Sequence, residues 1–217
     1  MAINDNEFDF PEAELVKQTE ICKNCKNIVV GKGDINSKIL FVGEAPGRKE
    51  DEQGFPFVGA AGKNLDKLLN NVGLSLKEVY VANILKCRPP ENRNPLPSEI
   101  KMHTLWLVKQ IKDMKPVVVC SLGNYATKFF LADGVVENMT KQSGITSVHG
   151  KVKEMEFCGV KIKLIPLFHP AAIIYNQKLK PLWEEDMILV KNEISKSVIK
   201  PAVTDMEIVK KEIRKKD

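Results

Sequence analysis

Four short apolar runs along the chain predict buried β-strands, and they begin at Lys38, Val79, Val117 and Lys161. Helices are predicted where apolar residues recur at spacings of three and four, because that spacing places them on one face. These helical segments cover residues 65–72, 98–114, about 124–131 and about 182–194. Strands that alternate with amphipathic helices are typical of an α/β domain.

The loop that follows the first strand is the most distinctive stretch of the chain. It spans residues 43–62 and contains five glycines and two prolines. Loops of about twenty residues are uncommon in compact domains and usually functional, and open α/β sheets bind ligands at the carboxyl ends of their strands. Glu44, Glu50 and Asp51 supply carboxylates here, and Phe57 supplies a flat apolar face. The pattern is neither Gly-x-Gly-x-x-Gly nor a P-loop, so the usual support for a phosphate-binding turn is missing.

Five cysteines are present, and two of them form a C-x-x-C pair at Cys22 and Cys25. The pair alone fits a redox site, half of a zinc site or half of an iron–sulfur site. Cys87, at the start of a proline-rich loop, is the obvious third ligand. Cys120 lies within a strand and Cys158 near an expected hairpin, so both are poorer candidates.

His103 is the candidate for a fourth ligand. It lies on the inward stripe of the helix at residues 98–114, for which Ser98 is the expected cap. A lone histidine on an apolar face is more often a satisfied core residue. The open coordination position beside three cysteines nevertheless favours ligation at this position.

Two further candidate sites lie where strands end. A helix begins at Gly123, directly after the strand that contains Ser121, and unpaired N–H groups of a first helical turn bind phosphate. An ordinary strand-to-helix turn is the alternative reading. His169 is held by Pro170 at the carboxyl end of the fourth strand, where a proton donor or acceptor is well placed.

Composition adds modest constraints. The 217 residues are 43% hydrophobic, which suits a single domain with a sizeable core. A formal charge of +5 mildly favours polyanionic partners. No apolar run reaches the ~18 residues that span a membrane, and the first residues lack the features of a signal peptide. We therefore expect an intracellular protein, in the cytoplasm or nucleoid. Residues 198–217 form a charged tail that either docks on a protein partner or stays solvated.

Together these motifs resemble the iron–sulfur, thermophile-type branch of the uracil-DNA glycosylases. The resemblance is carried, in order, by Gly43-Glu-Ala-Pro-Gly47 with Glu50-Asp51, Pro56-Phe-Val-Gly59, Asn83-Ile-Leu-Lys-Cys87-Arg-Pro-Pro90, Leu122-Gly123 and His169-Pro170. It implies a three-layer α/β/α sandwich with a central four-stranded parallel sheet, in one domain of residues 1–197 that precedes the tail. It also implies a monomeric, monofunctional enzyme that hydrolyses uracil from single- or double-stranded DNA and leaves an abasic site.

The resemblance further implies the base pocket. Uracil must leave the base stack to be reached, and the residues that would surround it are Gly43, Glu44, Ala45, Phe57, Asn83 and His169. Phe57 would stack on the flipped ring. Asn83 would pair with its edge and reject cytosine, because cytosine would leave buried polar groups unpaired.

Catalysis is implied to need a donor and a carboxylate. His169 would donate to uracil O2 as negative charge develops on the leaving base. Glu44 or Glu50 would activate the attacking water and stabilise the oxocarbenium-like sugar. Better-known glycosylase branches carry an aspartate where this chain has Ala45, so which glutamate acts stays open.

The matched cluster ligands are Cys22, Cys25 and Cys87, and His103 stands where relatives usually carry a fourth cysteine. The resemblance implies a structural 4Fe–4S cluster, although zinc with the same ligands would satisfy the same geometry. It also implies DNA contacts in which backbone N–H groups around Ser121 and Gly123 bind phosphate, while Ile173 fills the gap left in the stack.

Two other functions remain open at this point. One is a metal-stabilised nucleic-acid binding module without catalysis, against which Asn83 and His169 both argue. The other is an enzyme of the same fold with a different base range.

Overall fold

A single sheet forms the centre of the molecule. The computed structural model describes the backbone of residues 13–213 and the side chains of residues 14–196. The strands are β1 (Lys32–Gly33), β2 (Ile39–Gly43), β3 (Tyr80–Asn83), β4 (Val118–Leu122), β5 (Lys153–Phe157) and β6 (Val160–Leu167). They lie in the order β1-β3-β2-β4-β6-β5. Strands β3, β2, β4 and β6 are mutually parallel, and β1 and β5 pair antiparallel at the two edges.

Helices cover both faces of the sheet. They are α1 (Ala13–Lys17), α2 (Glu20–Lys23), α3 (Arg48–Gln53), α4 (Ala60–Asn71), α5 (Pro97–Met114), α6 (Gly123–Leu131), α7 (Ile145–Val148), α8 (Ala172–Tyr175) and α9 (Lys180–Ile213). Short 3-10 helices occupy Pro90–Asn92, Val136–Lys141 and Gln177–Leu179. Within the described residues this is the three-layer α/β/α arrangement that the resemblance implies.

The alternation of β2 explains the two layers, since successive strand side chains point to opposite faces. Leu40 and Val42 pack in one apolar cluster with residues of α5 and α6. Ile39 and Phe41 pack in the other cluster with residues of α4 and α9. All five residues of β2 are buried, as expected for a strand covered on both sides.

The sequence prediction holds for the four parallel strands and their helices, and it is incomplete at the edges. Strand β1 has only two residues, and β5 carries three charged residues in five, so neither shows an apolar run. The predicted cap at Ser98 is wrong by position: α5 begins at Pro97, and the Glu99 carboxylate accepts a hydrogen bond from the Leu96 N–H at 2.8 Å.

Helix α9 extends beyond the predicted end near residue 194, and the backbone of most of the predicted tail belongs to it. The side chains of that tail lie outside the described residues, so its expected role with a protein partner stays a prediction. None of the helices within residues 13–213 combines the length and apolarity that a bilayer crossing requires.

Candidate active site and metal centre

Parallel pairing brings the loops that follow β2 and β3 to one edge of the sheet. Gly43 at the end of β2 lies in register with Asn83 at the end of β3. A Cβ atom at Gly43 would lie 2.4 Å from Asn83 Oδ1 and 2.9 Å from Phe57 Cζ. Only glycine therefore lets the amide of Asn83 and the ring of Phe57 meet across the strand end. Asn83 is 3% exposed, so its side-chain amide is buried at this strand end.

Phe57 is held in a backbone conformation that side chains rarely adopt, with φ of 54°. Its ring is buried and stacks with the ring of His169, with centroids 6.2 Å apart and planes inclined by 30°. A Cβ atom at Gly62 would lie 1.7 Å from the Phe57 carbonyl oxygen, so the helix behind it approaches as closely as glycine permits. Such strain is commonly found at binding sites.

Glu50 fixes the loop that carries Phe57. Its Oε1 accepts hydrogen bonds from the Val58 N–H at 3.0 Å and the Gly59 N–H at 2.8 Å. One carboxylate oxygen thus satisfies two backbone donors immediately after the stacked ring. Glu50 also lies near enough to His169 for its charge to oppose the lowering of the pKa of that imidazole.

Glu44 occupies a different place, on the wall of a cavity of about 180 Å³. The cavity is lined by Glu44, Ala45, Pro46, Gly47, Pro89, Asn92, Arg93 and His169. Burial raises the pKa of the Glu44 carboxyl above its ordinary value. Within the described residues the Glu44 carboxylate accepts no hydrogen bond, in contrast to the carboxylate of Glu50.

His169 is prepared to donate a proton from one defined nitrogen. Its Nδ1 accepts a hydrogen bond from the Ala171 N–H at 3.2 Å, which places the ring proton on Nε2. Burial lowers the pKa of the imidazole to about 4, against a smaller opposing effect of Glu50. The ring is therefore neutral at pH 7 with its proton on Nε2, and His169 lines the same cavity as Glu44.

The three expected DNA-contact residues have different surroundings. Ser121 is fully buried and its Oγ lies 3.0 Å from Thr127 Oγ1, so only its backbone could face a phosphate. Gly123 begins α6 with φ of 84°, and a Cβ atom there would lie 3.1 Å from the Cβ of His169. Ile173 is 6% exposed and packs in the core, whereas a wedge has to be exposed.

The candidate metal ligands come together at the other side of the same loops. Ligand atoms of Cys22, Cys87 and His103 all lie within 4.8 Å of one another. Cys22 and Cys87 are joined as a disulfide, so a metal at this site requires their reduced thiolates. Cys25 lies outside this group, and its thiol donates to the Cys22 carbonyl oxygen at 3.3 Å. Two thiolates and an imidazole form a donor set that suits zinc or an iron–sulfur cluster.

His103 carries one feature in favour of ligation and one against it. Its Nε2 points toward the group, 3.9 Å from Cys22 Sγ and 3.0 Å from Thr19 Oγ1. Its Nδ1, however, accepts a hydrogen bond from the Lys86 N–H at 2.9 Å. A metal on Nε2 would place the ring proton on Nδ1, facing that N–H. Ligation therefore requires the Lys86 amide to turn away.

Asp51 connects the C-x-x-C segment to the active-site loop. Its carboxylate, 6% exposed, accepts hydrogen bonds from the N–H groups of Lys26 at 2.8 Å and Asn27 at 3.2 Å. The Asn27 side chain donates in return to the Asp51 carbonyl oxygen at 2.7 Å. Because Asp51 follows Glu50 in α3, the candidate metal segment and the loop that positions Phe57 share one short helix.

Two residues at this edge were missed by sequence reasoning. The fully buried Lys86 donates through Nζ to the carbonyl oxygens of Val30 and Asn83 and to Gln110 Oε1, at 2.9–3.2 Å. Arg93, on the cavity wall, forms a two-bond ion pair with Glu99 of α5. Their only sequence signal is that both are charged residues near the proline-rich loop.

Comparisons with known proteins agree with this geometry. The profile of the uracil DNA glycosylase superfamily matches residues 30–190 of the chain. The chain belongs to the uracil-DNA glycosylase superfamily.

Relatives place it more narrowly within that superfamily. A type-4 uracil-DNA glycosylase of Archaeoglobus fulgidus is 42% identical over 179 residues, covering 80% of this chain and 88% of that protein. Type-4 enzymes of Saccharolobus solfataricus and Thermotoga maritima are 39% and 40% identical, over 86% and 85% of this chain and 87% and 93% of those proteins. The resemblance drawn from the motifs is confirmed, and the chain belongs to the type-4 group of the uracil-DNA glycosylase superfamily.

Proposed function

We propose that this protein is a DNA repair enzyme that hydrolyses the N-glycosidic bond of uracil in DNA and leaves an abasic site. The observation that carries the proposal is the neutral His169, whose Nε2–H is free to donate in a cavity beside Glu44. As the glycosidic bond breaks, negative charge develops on uracil, and a pre-positioned donor at O2 stabilises that charge. The type-4 relatives support the same substrate.

The pocket supplies recognition as well as catalysis. Phe57 offers a ring face for the flipped base, and Asn83 offers both a donor and an acceptor to its edge. Gly43 and Ala45 keep the backbone close to the base, since a Cβ atom at Gly43 would collide with Asn83 and Phe57. We expect Asn83→Asp to relax discrimination against cytosine, because a protonated or repositioned carboxyl can accept from the cytosine amine. Full uracil activity with no cytosine activity in that variant would contradict this role.

The hydrogen bonds favour different roles for the two glutamates. The carboxylate of Glu50 already accepts from two backbone N–H groups, so its role is to hold the Phe57 loop. Glu44 faces the cavity with an uncommitted carboxylate. We therefore assign Glu44 to the attacking water and to the positive charge that develops on the sugar.

A separate lyase step is not expected. Lyase chemistry needs an amine that reaches the sugar, and the lysine closest in sequence to the pocket residue Asn83 is Lys86. Its Nζ is fully buried and donates to three acceptors within the fold, so it is not available to form a Schiff base. We therefore expect no Schiff base at Lys86 and a monofunctional enzyme.

The metal centre has a structural role in this proposal. Cys22, Cys25, Cys87 and His103 would hold a 4Fe–4S cluster, which would tie the N-terminal segment to the proline-rich loop and α5. Support comes from the proximity of Cys22, Cys87 and His103, and Cys25 lies three residues after Cys22, just beyond the end of α2. A colourless preparation that contains one zinc per chain would contradict the cluster and would be consistent with zinc bound by the same ligands.

DNA itself would be held through its backbone. We assign the phosphate contact to backbone N–H groups around Ser121 and Gly123, and support comes from the close approach of Gly123, at the start of α6, to the His169 side chain. Binding should therefore weaken steeply with salt. Ile173 remains a wedge candidate only if it leaves the core on binding.

The proposal is tested by treating a uracil-containing single strand with the protein and then with alkali. We expect alkali-dependent cleavage at uracil and none at thymine. His169→Asn should lower kcat by roughly 10²–10³-fold, as for loss of an oxyanion-type donor. His149→Asn is the matched control, because that histidine pairs with Asp186 outside the cavity. Equal activity in both variants would contradict the assignment of His169.

A further inference from the structure

A second concave surface lies beside the catalytic cavity. It is a groove of about 470 Å³ between α4 and the segment that follows His169, and we call it the α4–α8 groove. Its lining residues are Asn64, Lys67, Leu68, Asn71, Ile173, Ile174, Gln177 and Lys180. The Asn64 side chain donates to the Pro170 carbonyl oxygen at 3.3 Å, so the wall of the groove is fixed directly to the residue after His169.

The chemistry of the α4–α8 groove suits a polyanion. Two of its eight lining residues are lysines, three are amides, and no aspartate or glutamate is among them. Lys67 is exposed and has no ion-pair partner within the described part of the chain. Lys180 approaches Glu184 only at 3.8 Å, a surface pair that a phosphate can displace at little cost.

An exposed aromatic residue, Tyr175, directly follows the lining residue Ile174 in the chain. Ile173 is buried, while Ile174 is 44% exposed and Tyr175 is 88% exposed. The Tyr175 ring makes no hydrogen bond or ring contact with the described residues. An aromatic ring beside a basic groove is the arrangement by which proteins hold unpaired nucleic acid: lysines track the backbone and bases stack on the ring.

We propose that the strand flanking the excised base runs along the α4–α8 groove, with its phosphates at Lys67 and Lys180 and a base stacked on Tyr175. This inference rests on the proposed function, since the hydrogen bond from Asn64 to Pro170 joins the wall of the groove to the residue that follows His169.

The charge component is tested by reversing both lysines, Lys67→Glu with Lys180→Glu. A matched control, Lys77→Glu with Lys161→Glu, changes the net charge equally at exposed positions outside the groove lining. Binding to duplex and single-stranded oligonucleotides is measured against salt concentration. Each lost phosphate contact should reduce the slope of log K against log salt by about 0.9 on duplex and about 0.7 on single strands. A larger reduction of this slope in the groove variant than in the control supports the proposal, and equal slopes in the two variants overturn it.

The stacking component is tested at Tyr175. Tyr175→Ala should weaken binding to a single strand by roughly tenfold, and Tyr175→Phe should retain it, because stacking needs the ring and not the hydroxyl. Leu105→Ala truncates an apolar side chain that is 43% exposed on α5, away from the groove lining, and serves as the control. Wild-type affinity in Tyr175→Ala would overturn the stacking role.

These measurements separate the two levels of inference. If the wild-type protein fails to release uracil, the proposed function fails, while binding to uracil-free oligonucleotides still reports on the groove. If uracil is released but the groove variants bind and react like their controls, the proposed function stands and the groove is not the path of the strand.

Discussion

Asp51→Ala is the most informative single perturbation of the link between the candidate metal segment and the active-site loop. The substitution removes the acceptor of two backbone N–H groups, those of Lys26 and Asn27, at a position that is 6% exposed. The turn that follows Cys25 then loses its attachment to α3. We expect lower stability and weaker metal retention, because both depend on that turn.

The magnitude follows from the number and exposure of these hydrogen bonds. A hydrogen bond to a charged acceptor contributes about 1.5–3 kcal/mol. Lys26 and Asn27 are themselves exposed, so water can satisfy part of what the carboxylate provided. We therefore expect a loss of about 2 kcal/mol in the free energy of unfolding, less than the sum of two full bonds. For a chain of this size that corresponds to a fall of about 4–8 °C in Tm.

The assay is thermal unfolding at matched metal content, followed by metal release to a chelator. Glu52→Ala is the control, since Glu52 is the next residue of α3 and makes only a 3.8 Å contact with Arg48. That variant should stay within about 0.5 kcal/mol of wild type. If Asp51→Ala melts and releases metal like Glu52→Ala, the carboxylate does not hold the segment and the reasoning is refuted.

Three further predictions concern the site. Glu50→Gln should impair catalysis through loss of order in the Phe57 loop, with a larger change in KM than Glu44→Gln shows; equal effects on kcat and KM in the two variants would contradict the separate roles. His103→Cys should retain the cluster, measured as iron per chain and visible absorbance, whereas His103→Ala should lower it; unchanged iron in His103→Ala would remove His103 from the ligand set. We expect kcat/KM to fall at acid pH because Glu44, whose pKa is raised by burial, becomes protonated, while His169 with a pKa of about 4 stays neutral at higher pH. This fall should persist in a His169 variant with residual activity and disappear in Glu44→Gln.

Much of the fold was predictable because buried parallel strands have a plain signature. The runs beginning at Lys38, Val79, Val117 and Lys161 all become strands of the parallel core, and β6 is continuously buried from Leu164 onward. The edge strand β5 was not predicted because one of its faces is exposed and charged.

The candidate site was predictable as a set of residues and not as a set of roles. Motif order brought Asn83, Phe57 and His169 together, and the structure places all three at one sheet edge. The division of labour between Glu44 and Glu50 depends on which backbone N–H groups each carboxylate meets, which no spacing rule reveals. The burial of Ile173 likewise depends on how α8 packs, and a four-residue helix carries no readable periodicity.

The central claim is most directly tested by the identity of the released product. Purified protein is incubated with a single-stranded oligonucleotide that contains one uracil, and the small-molecule fraction is analysed by mass while the strand is treated with borohydride. The account predicts stoichiometric free uracil, an intact strand that breaks only after alkali, and no trapped protein–DNA adduct. Absence of free uracil, or a borohydride-trapped adduct with strand breakage before alkali, would contradict it.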